Sequence, residues 1–114
     1  MHEASLVMAL FDQIDRAVAA HPRARVQEVH VRVGELAGVE PTLLRTAFEA
    51  FRESRGRPEA ALALIEEPAE WACAKCGDAM ARGAVLQCAC GGAARLSRGG
   101  DVFLDRLELE VPDV

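Results

Sequence analysis

Two cysteine pairs, Cys73-Ala-Lys-Cys76 and Cys88-Ala-Cys90, stand eleven residues apart and leave the stretch around them few ways to fold. From about Glu67 to Gly100 regular apolar periodicity disappears, and six of the nine glycines fall there. Such a segment has little core of its own and must be stapled. A hairpin between the pairs would bring the four sulfurs onto one tetrahedral ion, and thiolates in that geometry suit Zn²⁺. Gly77 follows the first pair and Gly91-Gly92 the second. Glycine turns the chain back through positive φ, so that backbone N–H groups can face the sulfurs. Zinc held by Cys73, Cys76, Cys88 and Cys90 would have no open position and so would be structural. The same residues could instead form two disulfides or a redox pair. Disulfides need an oxidising compartment, and a thioredoxin-like pair needs a βαβ context that is missing here. The second pair encloses a single residue, so its bite is narrower and its knuckle cannot take the usual form.

Outside this stretch the pattern is regular. Leu6, Leu10, Ile14 and Ala17, with Val7, Phe11 and Val18, recur at helical spacing from Glu3 to Ala20, and His21-Pro22 ends the run. Val29, Val31 and Val33 alternate with Glu28, His30 and Arg32, the period of a strand with one buried face. Pro41 suits a first helical turn, Leu44, Ala47, Phe48 and Phe51 form one stripe, and a helix to about Arg55 stops at Gly56 and Pro58. Ala61 to Glu66 reads as a second strand and Val102 to Val111 as a third. The 114 residues fit one ordinary domain with a small module let into it. The expected fold is α/β (α+β): a small mixed three-stranded sheet with two helices, plus an inserted four-cysteine zinc module. Residues 1–67 and 101–114 would form the α/β domain and 68–100 the zinc-binding domain. His30, at a polar position of its strand, is expected to be solvated or to cap the sheet. Trp71 is expected to pack the module against the body, and Glu66-Glu67 and the acidic tail from Glu108 to Asp113 to be solvated.

Charge and motifs exclude several functions. A net charge of −5 argues against a phosphate-backbone binder, so no nucleic acid is expected. No apolar window reaches the ~18 residues that span a bilayer, so no membrane is expected. The start lacks the basic and apolar regions of a secretory signal, which makes a reducing, cytoplasmic setting the expected one. No P-loop, GxGxxG motif or nucleophile beside a base is present, so an enzyme is not expected.

His2 stands one residue from the α-amine and could close small chelate rings through the amine, backbone nitrogens and imidazole, a donor set for Ni²⁺ or Cu²⁺. A solvated terminal histidine is the plainer reading of His2 alone. The opening Met1-His2-Glu3-Ala4-Ser5-Leu6, the run Val31-Arg32-Val33-Gly34-Glu35-Leu36-Ala37-Gly38-Val39 with Pro41, then Ala47-Phe48-Glu49 and the paired cysteines closely resemble the HypA/HybF family of hydrogenase nickel-incorporation proteins. The resemblance covers nearly the whole chain. It implies a nickel metallochaperone, without catalytic activity, for the maturation of [NiFe] hydrogenase and in some organisms urease. The implied partners are a HypB-type GTPase and the [NiFe] hydrogenase large subunit. By motif, Met1, His2 and Glu3 would bind transferable Ni²⁺, and Glu40 matches a carboxylate placed near that metal in some members. The four cysteines match the family's zinc ligands, although the family usually has two CxxC pairs. Monomer and homodimer are both compatible with this sequence. The competing reading is a zinc-ribbon adaptor that binds a protein partner and never handles nickel.

Overall fold

The computed structural model describes residues 2–81 and 87–112, with the backbone alone for His2. Helix α1 (His2–Val18) leads into strand β1 (Arg25–Gly34), helix α2 (Pro41–Phe51) and strand β2 (Ala61–Glu67). Three short strands follow, β3 (Glu70–Cys73), β4 (Ala79–Met80) and β5 (Ala94–Arg98), before β6 (Val102–Glu110). The larger sheet has the order β2-β1-β6, with β2 parallel and β6 antiparallel to β1. A parallel neighbour needs a crossover, and α2 supplies it. The sheet is therefore mixed and three-stranded, as the patterning predicts.

One apolar layer joins helices to sheet. Val7, Leu10, Phe11, Ile14 and Val18 of α1, Leu44 and Phe48 of α2, and Val29, Val31 and Val33 of β1 are all buried. Phe11 and Phe48 stack with ring centroids 4.9 Å apart. Near the other end of the pair, Arg55 donates to Asp12 and Asp15 at 2.8 and 2.9 Å, and Arg57 also donates to Asp15. Burial pushes the Asp15 carboxyl up, but the bonds from Arg57 and Arg55 outweigh it and hold the group below its ordinary value. These contacts set α1 and α2 side by side, running the same way. Regular α2 ends at Phe51, short of the expected Arg55, and the chain then closes in a Schellman arrangement. Gly56 N–H donates to Glu53 O, Arg57 N–H to Arg52 O, and Gly56 takes a φ of 75°.

The structure adds one element that the patterning does not predict and corrects two expectations. The cysteine stretch carries its own antiparallel sheet, β4-β3-β5, whose strands are too short for periodicity to reveal. Trp71 lies opposite Met80 and Leu96 in that sheet and is not among the hydrophobic residues packed on the main core. His30 is 7% exposed, neither solvated nor a sheet cap, because Glu28 and Glu108 close over its ring nitrogen.

The turn after β1 clasps both chain segments that join the two sheets. Gly34 N–H donates to Asp101 O, Glu35 N–H to Glu67 O and Leu36 N–H to Gly99 O, each at 2.8–2.9 Å. Glu35 Oε1 accepts the Ala69 N–H at 2.9 Å and Glu67 Oε1 accepts the Gly99 N–H at 3.1 Å. Glu67 is thus a backbone acceptor here and not merely a solvated acid. A Cβ on Gly34 would stand 2.4 Å from the Gly99 carbonyl carbon and oxygen, backbone atoms that cannot rotate away. Gly34→Ala should therefore destabilise the chain by about 1–3 kcal/mol, the usual cost of overpacking. Urea unfolding measures this; an unchanged midpoint would mean that the clasp yields freely.

Candidate metal centre

The first cysteine pair sits on a turn built from its own backbone. Cys73 closes β3, Gly77 N–H donates to Cys73 O at 3.0 Å, and Gly77 takes a φ of 81°. That reversal aims the Lys75 and Cys76 N–H groups at Cys73 Sγ, at 3.3 and 3.4 Å. The second pair solves the same problem with one residue fewer. Gly91 N–H donates to Cys88 O, Cys88 N–H donates to Gly92 O, and Gly91 takes a φ of 90°. Ala74 N–H donates to Ala93 O at 2.8 Å and ties the two turns together. Gly92 is needed for a second reason: a Cβ there would stand 2.4 Å from Cys73 Sγ.

All four Sγ atoms lie within 4.8 Å of one another, so the narrower spacing of Cys88-Ala-Cys90 does not keep the pairs apart. Cys73 Sγ is 3.4 Å from Cys90 Sγ, and Cys76 Sγ is 3.8 Å from Cys88 Sγ. A disulfide needs about 2.05 Å, whereas sulfurs around a tetrahedral ion with bonds of about 2.3 Å stand roughly 3.8 Å apart. The separations and the donor set fit a closed, four-sulfur metal centre. Electrostatics agree. The N–H groups of Cys76 and Lys75 draw the Cys73 thiol down to about 6. For Cys76 the Asp78 N–H works downward, but Cys73, desolvation and the other sulfurs outweigh it and push the thiol up to about 12. Cys90 is also raised: the Gly92 N–H lowers it, and the neighbouring Cys73 with desolvation prevails. Four crowded sulfurs cannot all carry charge unless a cation shares the space.

The remaining residues of interest stand elsewhere. Met1 and the side chain of His2 lie outside the described residues. His2 opens α1, and Glu3 is the acid of its first turn. Glu40 is the N-cap of α2, with Oε2 accepting the Leu43 N–H at 2.8 Å. Since α1 and α2 run in the same direction, Glu3 and Glu40 mark the same end of the helix pair. Glu35, Glu67 and Gly99 were missed as positioning residues by the sequence reading. The Gly34-Glu35 turn was the only visible signal, because the segments it clasps are distant in the chain.

The family model described as "Hydrogenase/urease nickel incorporation, metallochaperone, hypA" matches residues 1–109. The chain is 36% identical over 113 residues to the hydrogenase maturation factor HypA of Shewanella halifaxensis, covering 96% of this chain and 98% of that protein. It is also 36% identical over 115 residues to the HypA of Aquifex aeolicus, covering 97% and 99% of the two chains. Among solved structures, the solution structure of a HypA protein superposes with a TM-score of 0.83 at 25% identity over 98% of both chains. The fold is shared too with the solution structure of the nickel metallochaperone HypA of Helicobacter pylori, at a TM-score of 0.74 and 24% identity over 96% and 98% of the two chains.

Proposed function

Because this chain belongs to the HypA family of nickel-incorporation metallochaperones, we propose that it carries Ni²⁺ at its amino end for insertion into [NiFe] hydrogenase. The observation that carries the proposal is the family match over residues 1–109, a span that takes in both the Met1-His2-Glu3 opening and the cysteine centre. In this reading the Met1 amine, the His2 imidazole and backbone, and Glu3 supply the donors for nickel. Glu40, at the same end of the helix pair, lends a nearby carboxylate whose Oε2 also caps α2. A site at a chain end has few protein ligands and exchanges its ion readily. Nitrogen donors hold Cu²⁺ more tightly than Ni²⁺, so selectivity comes from the partners and the metal supply.

Cys73, Cys76, Cys88 and Cys90 hold a structural Zn²⁺, which has no open position for chemistry. One metal stays while the other moves, and the chain acts as a carrier, not an enzyme. It receives and delivers nickel between a HypB-type GTPase and the hydrogenase large subunit in the cytoplasm, as a monomer or homodimer. Residues 1–67 and 101–114 form the nickel-carrying domain and 68–100 the zinc-binding one.

The test is calorimetric titration of zinc-loaded chain with Ni²⁺, before and after two changes. His2→Ala should abolish specific nickel binding at the amino end, and so should one extra residue ahead of Met1, with zinc content unchanged in both. Binding there that survives both changes would refute the amino-terminal assignment.

A further inference from the structure

Glu28 and His30 lie two residues apart on β1 and share the sheet face opposite Val29 and Val31. On β6, Glu108 is the register partner of Glu28, so two carboxylates stand directly across from each other. Like charges in that position destabilise a strand pair unless something between them compensates. His30 Nε2 lies 2.9 Å from Glu28 Oε1 and 3.3 Å from Glu108 Oε1, and its side chain is only 9% exposed. One ring nitrogen carries at most one proton and so cannot serve two carboxylates equally. Arg106, opposite His30, approaches Glu108 Oε1 at 3.7 Å, while Arg32 is taken by Asp105 at 3.2 Å. On the other side of β1, the register partners of Glu28 and His30 are Ala61 and Ala63, whose side chains bring no charged group to the cluster.

These are hydrogen-bond distances, and they equally suit the ligand spacing of a coordination sphere. Around an ion with bonds of about 2.05 Å, neighbouring ligands stand roughly 2.9 Å apart at right angles and roughly 3.3 Å apart at the tetrahedral angle. The three ligand atoms lie within 4.8 Å of one another. We propose that Glu28, His30 and Glu108 form a further cation site on the open face of the larger sheet, taking a borderline divalent ion such as Ni²⁺, Co²⁺ or Zn²⁺. His30 ligates through the Nε2 lone pair with its proton on Nδ1, each glutamate gives one oxygen, and water completes the sphere. With one imidazole and two carboxylates, this site selects against thiolate-seeking ions and differs in chemistry from the four-sulfur centre. It is also separate from the amino end, so it stands or falls independently of the nickel-carrier reading.

The test uses zinc-loaded, full-length chain carrying His2→Ala and one extra amino-terminal residue, so that the amino end is silenced. Titration with Co²⁺ should show one further equivalent, and the paramagnetic ion should shift and broaden the His30 ring signals in NMR. Glu28→Gln with Glu108→Gln should weaken that binding by at least about tenfold, as losing even an outer partner of a metal site can, with circular dichroism unchanged. The proposal is overturned if the silenced chain takes up no Co²⁺ beyond its zinc. It is equally overturned if the His30 signals do not move, or if binding persists unaltered in the double glutamine variant, which would place the ion elsewhere, for instance at His21.

Discussion

Stripping the metal from the four-sulfur centre should unfold β3, β4 and β5 while the β2-β1-β6 sheet and its two helices remain. The reason lies in how little else supports the short strands: Ala69, Ala72 and Cys73 are the buried hydrophobic residues among those described between the two parts of the larger sheet. Three small side chains cannot offset the conformational entropy of ordering such a segment at roughly 1–2 kcal/mol per residue. Apparent binding energies of structural zinc sites, about 10–16 kcal/mol, are already net of the folding they drive and so tip the balance. A strong chelator, or Cys76→Ser at an exposed sulfur whose loss costs little packing, should make the cysteine stretch sensitive to protease and to amide exchange. Acid should act in the same direction. Cys73, the thiol drawn down to about 6, ionises most readily of the three with resolved shifts, while Cys76 and Cys90 are held up. As pH falls, protons therefore compete with the metal at Cys76 and Cys90 first and at Cys73 last, and metal retention weakens most steeply below about 6. Protease resistance unchanged after complete metal removal would show that packing, not the ion, orders the module.

Phe48→Ala should have the complementary effect on the body. Phe48 and Phe11 are both fully buried and stacked face to face with an interplanar angle of 12°, at the point where α1 meets α2. Removing a buried phenyl ring costs about 3–5 kcal/mol, a large share of the 5–15 kcal/mol that holds a typical domain together. The loss falls on the contact that fixes α1, the helix whose first residues carry the proposed nickel ligands. Urea unfolding should show the reduced stability. Near the midpoint nickel binding should weaken while one zinc per chain is retained. If zinc is released in the same transition, the two sheets form one cooperative unit and the proposed division into two domains is wrong.

The family role gives these two results a common meaning. A carrier needs one metal held firmly enough to shape the protein and another loosely enough to leave. The structure places the sulfur centre on turns braced by the chain's own N–H groups. Glu3 and Glu40 stand at the far simpler end of a helix pair. The Gly34-Glu35 turn joins the segments between the two sheets, so changes at that clasp should be felt by both.

Much of this was legible along the chain. The alternation of Val29, Val31 and Val33 gave β1, the stripe of Leu44 and Phe48 gave α2, and Gly56 marked where that helix closes, because each signal depends on residues within a turn or two of one another. The cysteine spacing with Gly77 and Gly91 likewise identified the sulfur centre, since each knuckle is a local turn. Pairing over long separations was not legible. The placement of β6 beside β1 sets Glu108 against Glu28 and His30, burying an apparently solvated histidine beneath two partly exposed carboxylates. Trp71 was paired with Met80 in its own small sheet, and Glu35 and Glu67 became backbone acceptors, for the same reason. Periodicity reports which face of an element is apolar; it carries no information on which distant strand will lie alongside, and that choice is made only when the whole core closes.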